Sequence, residues 1–495
     1  MAIDVLFVHP GNLKGTYQDL AAEFTAIDAP VWATLLCSYL RQHGITCAVY
    51  DVNLDGWSPA RTAEILARHA PRVVVVMVYG HHPSASTQTM PAARAIAADL
   101  KAADSDLPVA FGGTHPASLP VRTLEEESVD FVIAGEGPKT VRGLALHYRG
   151  DCQLDEIPGL WHAFDGAPRF TGAASVVQDL DAAFPDYAWD ALDDLRRYRA
   201  HNWHCFQDFE QSTAPNFCDV RSPYVSLYTS LGCPFSCSYC CINAIFGKPG
   251  IRYWSVDRVV SWLDVLVREY GVRNVRLADE LFVLARDRVA RFCDLIAARG
   301  HELNIWAYAR VDTIDLRLLS KMKRAGINWL CLGIESGNTA VRAGVNKRIV
   351  GDIEGVVRRI QDSGIHVLGN YMFGLPDDSL GTMQETLDLA LRLNCEFSNF
   401  YTVMAYPGSA LYTQQAAAGT VSDNWSAFSQ HSYETQPLPT RYLSPAKVLR
   451  FRDEAFNIYF GSGTYQTMVE RKFGPKVRAH IQKMLSVQLR RRLLA

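Results

Sequence analysis

A run of three cysteines constrains this chain more than any other feature. Cys233, Cys237 and Cys240 are spaced C-x3-C-x2-C, directly after the apolar, strand-like run 224–228. A glycine and a proline within this stretch break regular structure, so we expect a loop that curls around an inorganic centre. Thiolates are soft ligands that select zinc, copper(I) or iron–sulfur clusters. A structural zinc ion takes four ligands, whereas three thiolates on a four-iron cluster leave one iron open for a reaction.

The cysteine loop resembles the signature of the radical S-adenosylmethionine (SAM) superfamily. The resemblance implies a 4Fe-4S cluster whose free iron is chelated by SAM, and an electron that cleaves SAM to a 5′-deoxyadenosyl radical. Tyr239 matches the aromatic residue that lies near the adenine in that family. The alternatives are a zinc loop and, for the whole protein, an iron–sulfur carrier or sensor. Cys241 adjoins the motif, and we interpret it as a small packed residue rather than a ligand.

The composition is that of a globular protein with more than one domain. The 495 residues carry a net charge of −3, which gives no basic bias toward nucleic acid. No run of about eighteen apolar residues could span a membrane, and the start Met1–Asp4 lacks the basic residues of a signal peptide. Twelve cysteines spread over a long chain do not resemble a disulfide framework. We therefore expect a cytoplasmic protein of two or three domains.

Residues 1–150 alternate between strand and helix patterns. Helical patterns separate five apolar runs that predict buried parallel strands. These runs are Val5–Val8, Cys47–Tyr50, Val73–Val78, Val109–Phe111 and Phe131–Ile133. The pattern predicts a doubly wound, Rossmann-like α/β domain, whose ligands bind beyond the carboxyl ends of the strands. No G-x-G-x-x-G follows the first strand, so the sequence gives little support for a dinucleotide site.

This half of the chain resembles the cobalamin-binding domain that precedes the radical SAM core in one large subclass. The matching features are the loops Gly112-Gly113 and Gly135-Glu136-Gly137. The D-x-H-x-x-G motif, which supplies a histidine to cobalt in many cobalamin proteins, is absent. His81, His82 and Pro83 follow the third strand, where a corrin would need room. Many members of the subclass also lack the motif, but we expect a scaffold that has lost its cobalamin.

The remainder of the chain divides into three parts. Residues 151–220 predict a connecting segment with a small hairpin at 155–161. Strand–helix alternation resumes over 221–416, and six βα units match the partial (β/α)6 TIM barrel of the radical SAM core. Residues 417–495 indicate a C-terminal helical region, since Ser444-Pro445 starts a helix. The tail from Arg471 holds eight Lys or Arg and no acid. It suits a solvated helix surface or the docking of an acidic electron donor.

The barrel should place its functional groups at the carboxyl ends of its strands. By the resemblance, acids after the second strand meet the SAM amino group, the fourth strand end meets the ribose and the fifth strand contacts the adenine. The residues concerned are Asp279 and Glu280, Glu335 and Ser336, and Asn370 and Met372. Arg310 ends the third strand, where its guanidinium could pair bidentately with a carboxylate. The structural alternative for each residue is a salt bridge at the barrel rim.

Two reactions fit the resemblance. Relatives with this domain pair resemble cobalamin-dependent C-methyltransferases. Over nearly its whole length the chain is similar to actinomycete enzymes of sugar and aminoglycoside pathways, among them diol dehydratases that deoxygenate paromamine-like substrates at C3′ without cobalamin. We expect dehydration of an aminosugar to a 4′-keto-3′-deoxy product in antibiotic biosynthesis, with methyl transfer as the alternative. Acids expected at the barrel mouth would suit such a polycation. These acids are Asp279, Glu280, Glu335, Asp377 and Asp378.

Dehydration needs a general base and a general acid, and the sequence does not identify them. The candidates on strand-end or connecting loops are His115, His201 and Glu136. The resemblance implies flavodoxin or ferredoxin as the electron donor. For the dehydratase reaction it also implies a separate NAD(P)H-dependent reductase.

Overall fold

Two β-sheets organise the chain, and the parallel strands of each lie where the sequence predicts them. The structure is a computed structural model that describes residues 2–80, 82–214 and 217–495. The first sheet has the strand order β2-β1-β3-β4-β5-β6-β7. Its strands are β1 (Val5–His9), β2 (Cys47–Asp51), β3 (Val73–Met77), β4 (Val109–Gly112), β5 (Phe131–Ile133), β6 (Leu160–Phe164) and β7 (Ala167–Phe170). The first five run parallel, which confirms the predicted doubly wound domain.

Helices cover both faces of this sheet, which explains its continuously apolar strands. Every residue of β1 and β3 is buried, so these strands need no alternation of polar and apolar residues. The helices are α1 (Leu13–Tyr17), α2 (Val31–Gln42), α3 (Val52–Asp55), α4 (Pro59–His69), α5 (Ser86–Ala103), α6 (Thr114–Ser118), α7 (Pro120–Glu126) and α8 (Pro138–Arg149). Because β1 and β3 are parallel neighbours, the loops that follow them emerge side by side at the carboxyl edge of the sheet.

The first sheet continues past residue 150, where the sequence places a domain boundary. The hairpin predicted at 155–161 lies further along the chain: 154–156 form a single 3-10 turn, and the hairpin consists of β6 and β7 with its turn at Asp165-Gly166. Strand β6 pairs antiparallel with β5. The connecting segment that follows contains the short helices α9 (Leu180–Ala183) and α10 (Phe206–Phe209). The hairpin thus belongs to the N-terminal sheet rather than to a separate connector.

The second sheet is an open barrel of six parallel strands in the order β15-β14-β13-β12-β11-β8. With the short pair β9 and β10, the strands are β8 (Tyr224–Leu227), β9 (Ser230–Leu231), β10 (Arg252–Tyr253), β11 (Asn274–Leu277), β12 (Asn304–Ala309), β13 (Ile327–Glu335), β14 (His366–Phe373) and β15 (Phe397–Thr402). The helices are α11 (Val256–Tyr270), α12 (Arg286–Arg299), α13 (Leu319–Arg324), α14 (Thr339–Gly344), α15 (Ile353–Asp362), α16 (Leu380–Leu393) and α17 (Ala410–Ala417). Since β8 and β15 are the edges of the sheet, other segments must close the gap between them.

Three C-terminal helices pack beside β15: α18 (Pro445–Gly461), α19 (Gly463–Phe473) and α20 (Pro475–Ser486). The Tyr459 hydroxyl donates to the carbonyl of Cys395 at 2.6 Å, and the Tyr465 hydroxyl donates to the carbonyl of Glu396 at 3.0 Å. Lys472 forms an ion pair with the buried Glu396 carboxylate. These buried bonds attach the helices to the barrel. Among the described residues, none of the helices is both long enough and apolar enough to cross a bilayer.

The segment 17–26 of the N-terminal domain lies against the C-terminal region. The Gln18 side chain donates to the carbonyl of His431 at 2.7 Å, and Lys483 forms an ion pair with Glu23. Segment 17–26 and the C-terminal helices line the same cavity from opposite ends of the sequence. The gap in the open barrel is therefore covered from both domains.

Candidate active site

Hydrogen bonds from neighbouring segments hold the cysteine loop in a defined curve. The Asn243 carboxamide accepts from the Cys233 N–H at 3.3 Å and donates to the carbonyl of Phe235 at 3.0 Å. The Gly250 N–H donates to the carbonyl of Cys233 at 3.0 Å. The loop is thus shaped by backbone contacts, which leaves the thiols available as ligands.

The three predicted thiols face a common cavity, and the fourth cysteine does not. Cys233, Cys237 and Cys240 line the cavity, whereas Cys241 is buried with its Sγ 3.7 Å from the Ser84 hydroxyl. Burial raises the pKa of the Cys233 thiol to about 11. Among the described residues, no three His, Cys, Asp or Glu side chains converge on a single ion. Three thiols around one cavity suit an iron–sulfur cluster, because such a cluster takes each thiolate on a different iron.

A cavity of about 440 Å³ extends from the cysteine loop into the barrel. This volume lies within the usual range for small-molecule sites, about 300–1,000 Å³. Parallel pairing sets Tyr308, Cys331, Leu368 and Phe397 in one register layer of the wall. Residues two positions further along each strand form the next layer toward the mouth, since side chains alternate between the two faces of a sheet. The cavity is therefore the interior of the barrel beneath the cysteine loop.

Arg310 presents an unused N–H group at the mouth of the cavity. Its Nε and Nη2 bind both carboxylate oxygens of Asp312 at 2.9 and 3.0 Å, and Nη2 also donates to the carbonyl of Arg348 at 2.7 Å. The guanidinium lies 4.1 Å from the centre of the Phe235 ring in the cysteine loop. Its Nη1 is buried and has no hydrogen-bond partner. A buried donor without a partner is costly, so this atom is suited to a carboxylate ligand such as that of SAM.

Glu280 and Asp279 have opposite orientations although they are adjacent. Glu280 lines the cavity; burial raises the pKa of its carboxyl to about 7, although Arg276 acts in the lowering direction. Asp279 lies outside the cavity and accepts hydrogen bonds from the N–H and hydroxyl of Thr229 and from the Ser230 hydroxyl, at 2.5–2.6 Å. The geometry therefore brings Glu280 to the predicted SAM amino site, and Asp279 instead fixes the strand that leads into the cysteine loop.

The fourth and fifth strand ends contribute part of what the sequence predicts. Glu335 lines the cavity in an unusual left-handed conformation (φ 64°), and its carboxylate pairs with Lys347 at 2.6 Å. Such strain in a residue other than glycine is concentrated at functional sites. Ser336 does not line the cavity, and its hydroxyl oxygen lies 3.2 Å from the Thr386 hydroxyl oxygen. Asn370 lines the cavity and accepts from the Asn399 amide at 3.1 Å.

Two of the predicted adenine contacts, Tyr239 and Met372, also line the cavity. Met372 lies in the wall next to β15, and Tyr239 lies beside the cluster cysteines. Burial raises the pKa of Tyr239 well above its usual value, so the hydroxyl stays neutral. Both residues thus line the cavity, and their contact with adenine stays a prediction.

The three acid–base candidates are separated by the fold. His201 lines the cavity and stacks on Trp203, with ring centres 5.7 Å apart. His115 is buried in the N-terminal domain outside the cavity, where its Nδ1 lies 3.2 Å from the Thr87 hydroxyl. Glu136 also lies outside the cavity, and its carboxylate accepts from Arg252 and from the Val177 N–H. The geometry speaks against direct catalytic roles for His115 and Glu136.

Sequence reasoning missed several cavity residues. Tyr308 precedes Arg310 by two positions and Asn399 precedes Tyr401 by two, so period-two alternation along β12 and β15 was the available signal. Arg276 is more unexpected, since it sits fully buried within the apolar strand β11. Its Nη1 lies 3.4 Å from the Asp28 carboxylate, and its Nε has no partner. A charge inside an apolar strand pattern was the signal for this group.

The acids expected to attract a polycationic substrate are not gathered at the cavity. Of the five, only Glu280 and Glu335 line it, and Glu335 is paired with Lys347. Asp378 accepts from the backbone N–H groups of Gly374 and Leu375 at 3.0 and 2.9 Å and lies outside the cavity. Among the described residues, the cavity therefore offers one unpaired carboxylate, and that one is at the predicted SAM site.

The N-terminal domain meets the cysteine loop at its carboxyl edge. His82–Ala85, in the loop after β3, line the cavity, while His81 lies outside the described residues. Ser84 contacts Cys241, and a Cβ on Gly135 would lie 3.4 Å from the carbonyl of Ile245. A cluster, SAM and a small substrate suit the cavity, whereas a corrin would require these contacts to open. The junction between the two domains thus lies where cobalamin would be expected, but the space between these contacts is too narrow for a corrin.

The fold and the site together define a two-domain protein with a three-cysteine cluster loop at the mouth of a partial barrel. The family models agree with this class. The B12 binding domain model matches residues 17–145, and the radical SAM superfamily model matches residues 227–390. The chain is thus a radical SAM protein with an N-terminal domain of the B12 binding type.

Two curated relatives cover most of the chain. An uncharacterized methyltransferase of Pyrococcus horikoshii is 26% identical over 404 residues, which cover 80% of this chain and 80% of that relative. The anaerobic magnesium-protoporphyrin IX monomethyl ester cyclase of Cereibacter sphaeroides is 25% identical and covers 90% of this chain and 68% of that relative. Others are named as methyltransferases. The comparisons favour methyl transfer over the dehydration expected from the sequence.

Two solved structures share the fold. The cobalamin-dependent S-adenosylmethionine radical enzyme OxsB, with aqua-cobalamin and SAM bound, has a TM-score of 0.70 at 15% identity and covers 98% of this chain and 72% of that one. The radical SAM methyltransferase TsrM from Kitasatospora setae, with cobalamin and a 4Fe-4S cluster bound, has a TM-score of 0.65 at 18% identity. The match covers 86% of this chain and 76% of that one. Together with the B12 binding model, these neighbours weigh against our expectation of a domain without cobalamin.

Proposed function

We propose that this chain is a cobalamin-dependent radical SAM methyltransferase. The observation that carries the proposal is one continuous cavity to which both domains contribute residues. The three cysteines line it, and so does the loop 82–85 of the B12-type domain. A methyl transfer that uses two cofactors needs both to reach one substrate, and this cavity is where they can meet. The methyltransferases among the curated relatives support the same reaction.

When bound, the cluster and SAM supply a 5′-deoxyadenosyl radical and cobalamin supplies a methyl group. The protein's part is to bind and orient these groups. Cys233, Cys237 and Cys240 hold the cluster. Arg310 offers its free Nη1 to the SAM carboxylate, and Glu280 accepts from the SAM ammonium. Fixed partners that are already oriented lower the cost of bringing reactants together.

The substrate occupies the deeper part of the cavity in this proposal. Its wall there is aromatic and includes Trp203, Trp306, Tyr308 and Phe400. The guanidinium of Arg276 lies against the faces of Trp306 and Tyr308, at 4.9 and 5.7 Å from the ring centres. A cation already covers these aromatic faces, so a second cation gains little there. We infer a ring-bearing substrate that is uncharged or anionic.

Dehydration remains a second candidate because of one observation. Ser84 Oγ lies 3.7 Å from Cys241 Sγ, so the B12-type domain and the cysteine loop touch without a corrin between them. A radical dehydratase would need only the cluster, SAM and substrate in the cavity. Of the three predicted acid–base groups, only His201 lies at the cavity for such a reaction.

The test is to reconstitute the cluster anaerobically with and without hydroxocobalamin and to remove unbound cobalamin. We expect the protein to retain cobalamin and to form S-adenosylhomocysteine and a methylated product only when it is present. The substrates offered are paromamine and a panel of uncharged and anionic ring compounds. A product lighter by one water, formed equally without cobalamin, would instead establish the dehydratase. Absence of 5′-deoxyadenosine in every mixture would reject both reactions.

A further inference from the structure

A histidine from the C-terminal region reaches the cavity that the three cluster cysteines line. His431 belongs to the segment between α17 and α18 and is part of the cavity wall. Its backbone is fixed, because its carbonyl accepts from the Gln18 side chain at 2.7 Å. The ring of Tyr17 lies beside its own ring, with centres 5.6 Å apart. The N-terminal domain and the C-terminal region therefore position this histidine together.

A buried arginine determines which ring nitrogen of His431 carries the proton. Nη2 of Arg452 lies 3.3 Å from Nε2 of His431. A guanidinium can only donate hydrogen bonds, so Nε2 must be the acceptor in this contact. In the neutral ring the proton is then on Nδ1, because the bond made by one ring nitrogen sets the state of the other. The protein thus holds His431 as a donor at Nδ1.

Further bonds hold Arg452 in place and leave a positive charge beside the histidine. Its Nε donates to the carbonyl of Phe400, which also lines the cavity, and its Nη1 pairs with Asp453, both at 2.7 Å. The Asp453 carboxylate also accepts from Arg491 at 3.0 Å. Two cations therefore share one acid. Burial and these two cations lower the pKa of His431 well below its usual value, so the ring stays neutral.

The Nδ1 atom of His431 is accessible from the cavity. In the part of the chain that the structure describes, no protein group forms a hydrogen bond with this nitrogen, and it is not among the buried polar atoms that lack a partner. The residue as a whole is half-buried. A few precisely placed polar groups usually orient the ligand in a largely apolar cavity. A fixed N–H group at an open cavity is such a group and suits an oxygen acceptor.

We propose that His431 is a substrate-binding residue that donates its Nδ1–H to an anionic oxygen of the substrate, such as that of a carboxylate. The net positive charge of the neighbouring arginines favours a negative group at this position. A hydrogen bond to a charged acceptor is also stronger than one to a neutral acceptor. The inference rests on the proposed function in taking this cavity as the substrate site. It narrows the substrate from an uncharged or anionic ring compound to an anionic one.

The test compares an acid with its neutral amide in the cluster-loaded protein. Benzoate and benzamide are titrated calorimetrically under anaerobic conditions and without reductant, so no turnover occurs. SAM is present at saturation, so that the unpaired N–H of Arg310 is occupied and does not capture benzoate. Both probes are small relative to a cavity of about 440 Å³.

Two variants separate the roles of the two ring nitrogens. In His431→Gln the carboxamide oxygen can replace Nε2 as the acceptor for Arg452, but the donor at Nδ1 is lost. In His431→Asn the carboxamide nitrogen can replace Nδ1, so the donor is kept. His366→Gln is the control, since His366 lies outside the cavity against Trp329 and Phe473. Urea unfolding checks that each variant is folded.

We expect the unmodified protein to bind benzoate at least about tenfold more tightly than benzamide, as a charged hydrogen bond implies. His431→Gln should bind benzoate at least about tenfold more weakly and benzamide almost as before. His431→Asn and the control should keep the preference for the acid. Equal affinity for acid and amide in the unmodified protein, no binding of benzoate, or the same loss in the Gln and Asn variants overturns the proposal. Since binding is measured without turnover, a failure of methyl transfer would reject the proposed function and leave the benzoate result unchanged.

Discussion

The mouth of the barrel and the carboxyl edge of the N-terminal sheet are built on the same principle and differ in how their polar groups are used. Both are the carboxyl ends of parallel strands, where ligands bind in such folds. At the barrel mouth, Arg310 keeps a buried N–H without a partner, and Glu280 faces the cavity. At the N-terminal edge, Glu136 and His115 are bonded to neighbouring protein groups.

The difference teaches how to separate cofactor groups from structural ones. A buried donor without a protein partner is costly, and where it faces the cavity it is available to a ligand. A buried carboxylate that is fully bonded stabilises the fold whatever its position at a strand end. By this measure the barrel mouth is arranged for ligands, whereas Glu136 and His115 at the N-terminal edge have structural partners.

The largest effect should come from the cluster ligands. Changing Cys233, Cys237 and Cys240 together to Ala should remove the bound iron, the absorption near 400 nm and all SAM cleavage, because each thiolate holds one iron. Iron analysis and absorption spectra check this. Cys241→Ala is the matched control and should retain the cluster, since its thiol faces Ser84. A full cluster in the triple variant would contradict the assignment.

The next effect probes the N-terminal edge. Glu136→Ala should lower the free energy of unfolding by about 3 kcal/mol, the lower end of the range for breaking a buried ion pair, because the largely buried Arg252 guanidinium loses its carboxylate but keeps its bond to the Val177 carbonyl. Urea unfolding measures this, and SAM affinity should not change. Glu302→Ala is the control, since its pair with Arg273 is exposed and should contribute less than about 1 kcal/mol. Weaker SAM binding with normal stability would instead place Glu136 in the active site.

Arg310→Ala should weaken SAM binding by about 1.5–3 kcal/mol, the usual range for a charged hydrogen bond. Calorimetry on the cluster-loaded protein measures this. Arg310→Lys should recover little, since an ammonium lacks the planar fork that also binds Asp312. If the guanidinium is only structural, stability will fall in both variants while SAM affinity stays the same.

The smallest effect concerns pH. Burial, aided by the charge of Arg122, lowers the pKa of His115 from 6.5 to about 3. The unfolded chain therefore binds an extra proton between these values, so stability is lost as pH falls below 6.5. At pH 5 the loss is about 2 kcal/mol for this residue. Replacing His115 with Gln should reduce the slope of the unfolding free energy against pH by the amount that corresponds to about one bound proton. An unchanged slope would show that His115 is not buried as a neutral ring.

Three other histidines also make the protein less stable as the pH falls, since burial lowers the pKa of each to about 3. They are His204, His366 and His480. The slope for the unmodified protein should therefore exceed that of one histidine. The comparison between the His115 variant and its parent isolates the single contribution.

The sequence predicts the two sheets well because buried parallel strands leave a strong local signal. The run Val73–Val78 becomes β3, and the helical pattern between it and the run Cys47–Tyr50 becomes α4. The boundary at 150 is less clear, because pairing of β6 with β5 is a long-range contact that no local pattern reports. A hairpin was predicted close to this point, at 155–161, but its turn lies at Asp165-Gly166.

The sequence by itself determined the class of the protein, because three cysteines at fixed spacing and two series of βα units are local features. It also placed Arg310, Glu280 and Asn370 at strand ends that meet in one cavity. Only the tertiary structure separated Glu280 from its neighbour Asp279, and His201 from His115. Adjacent residues at a strand end point in different directions, and whether each finds a partner depends on segments distant in sequence.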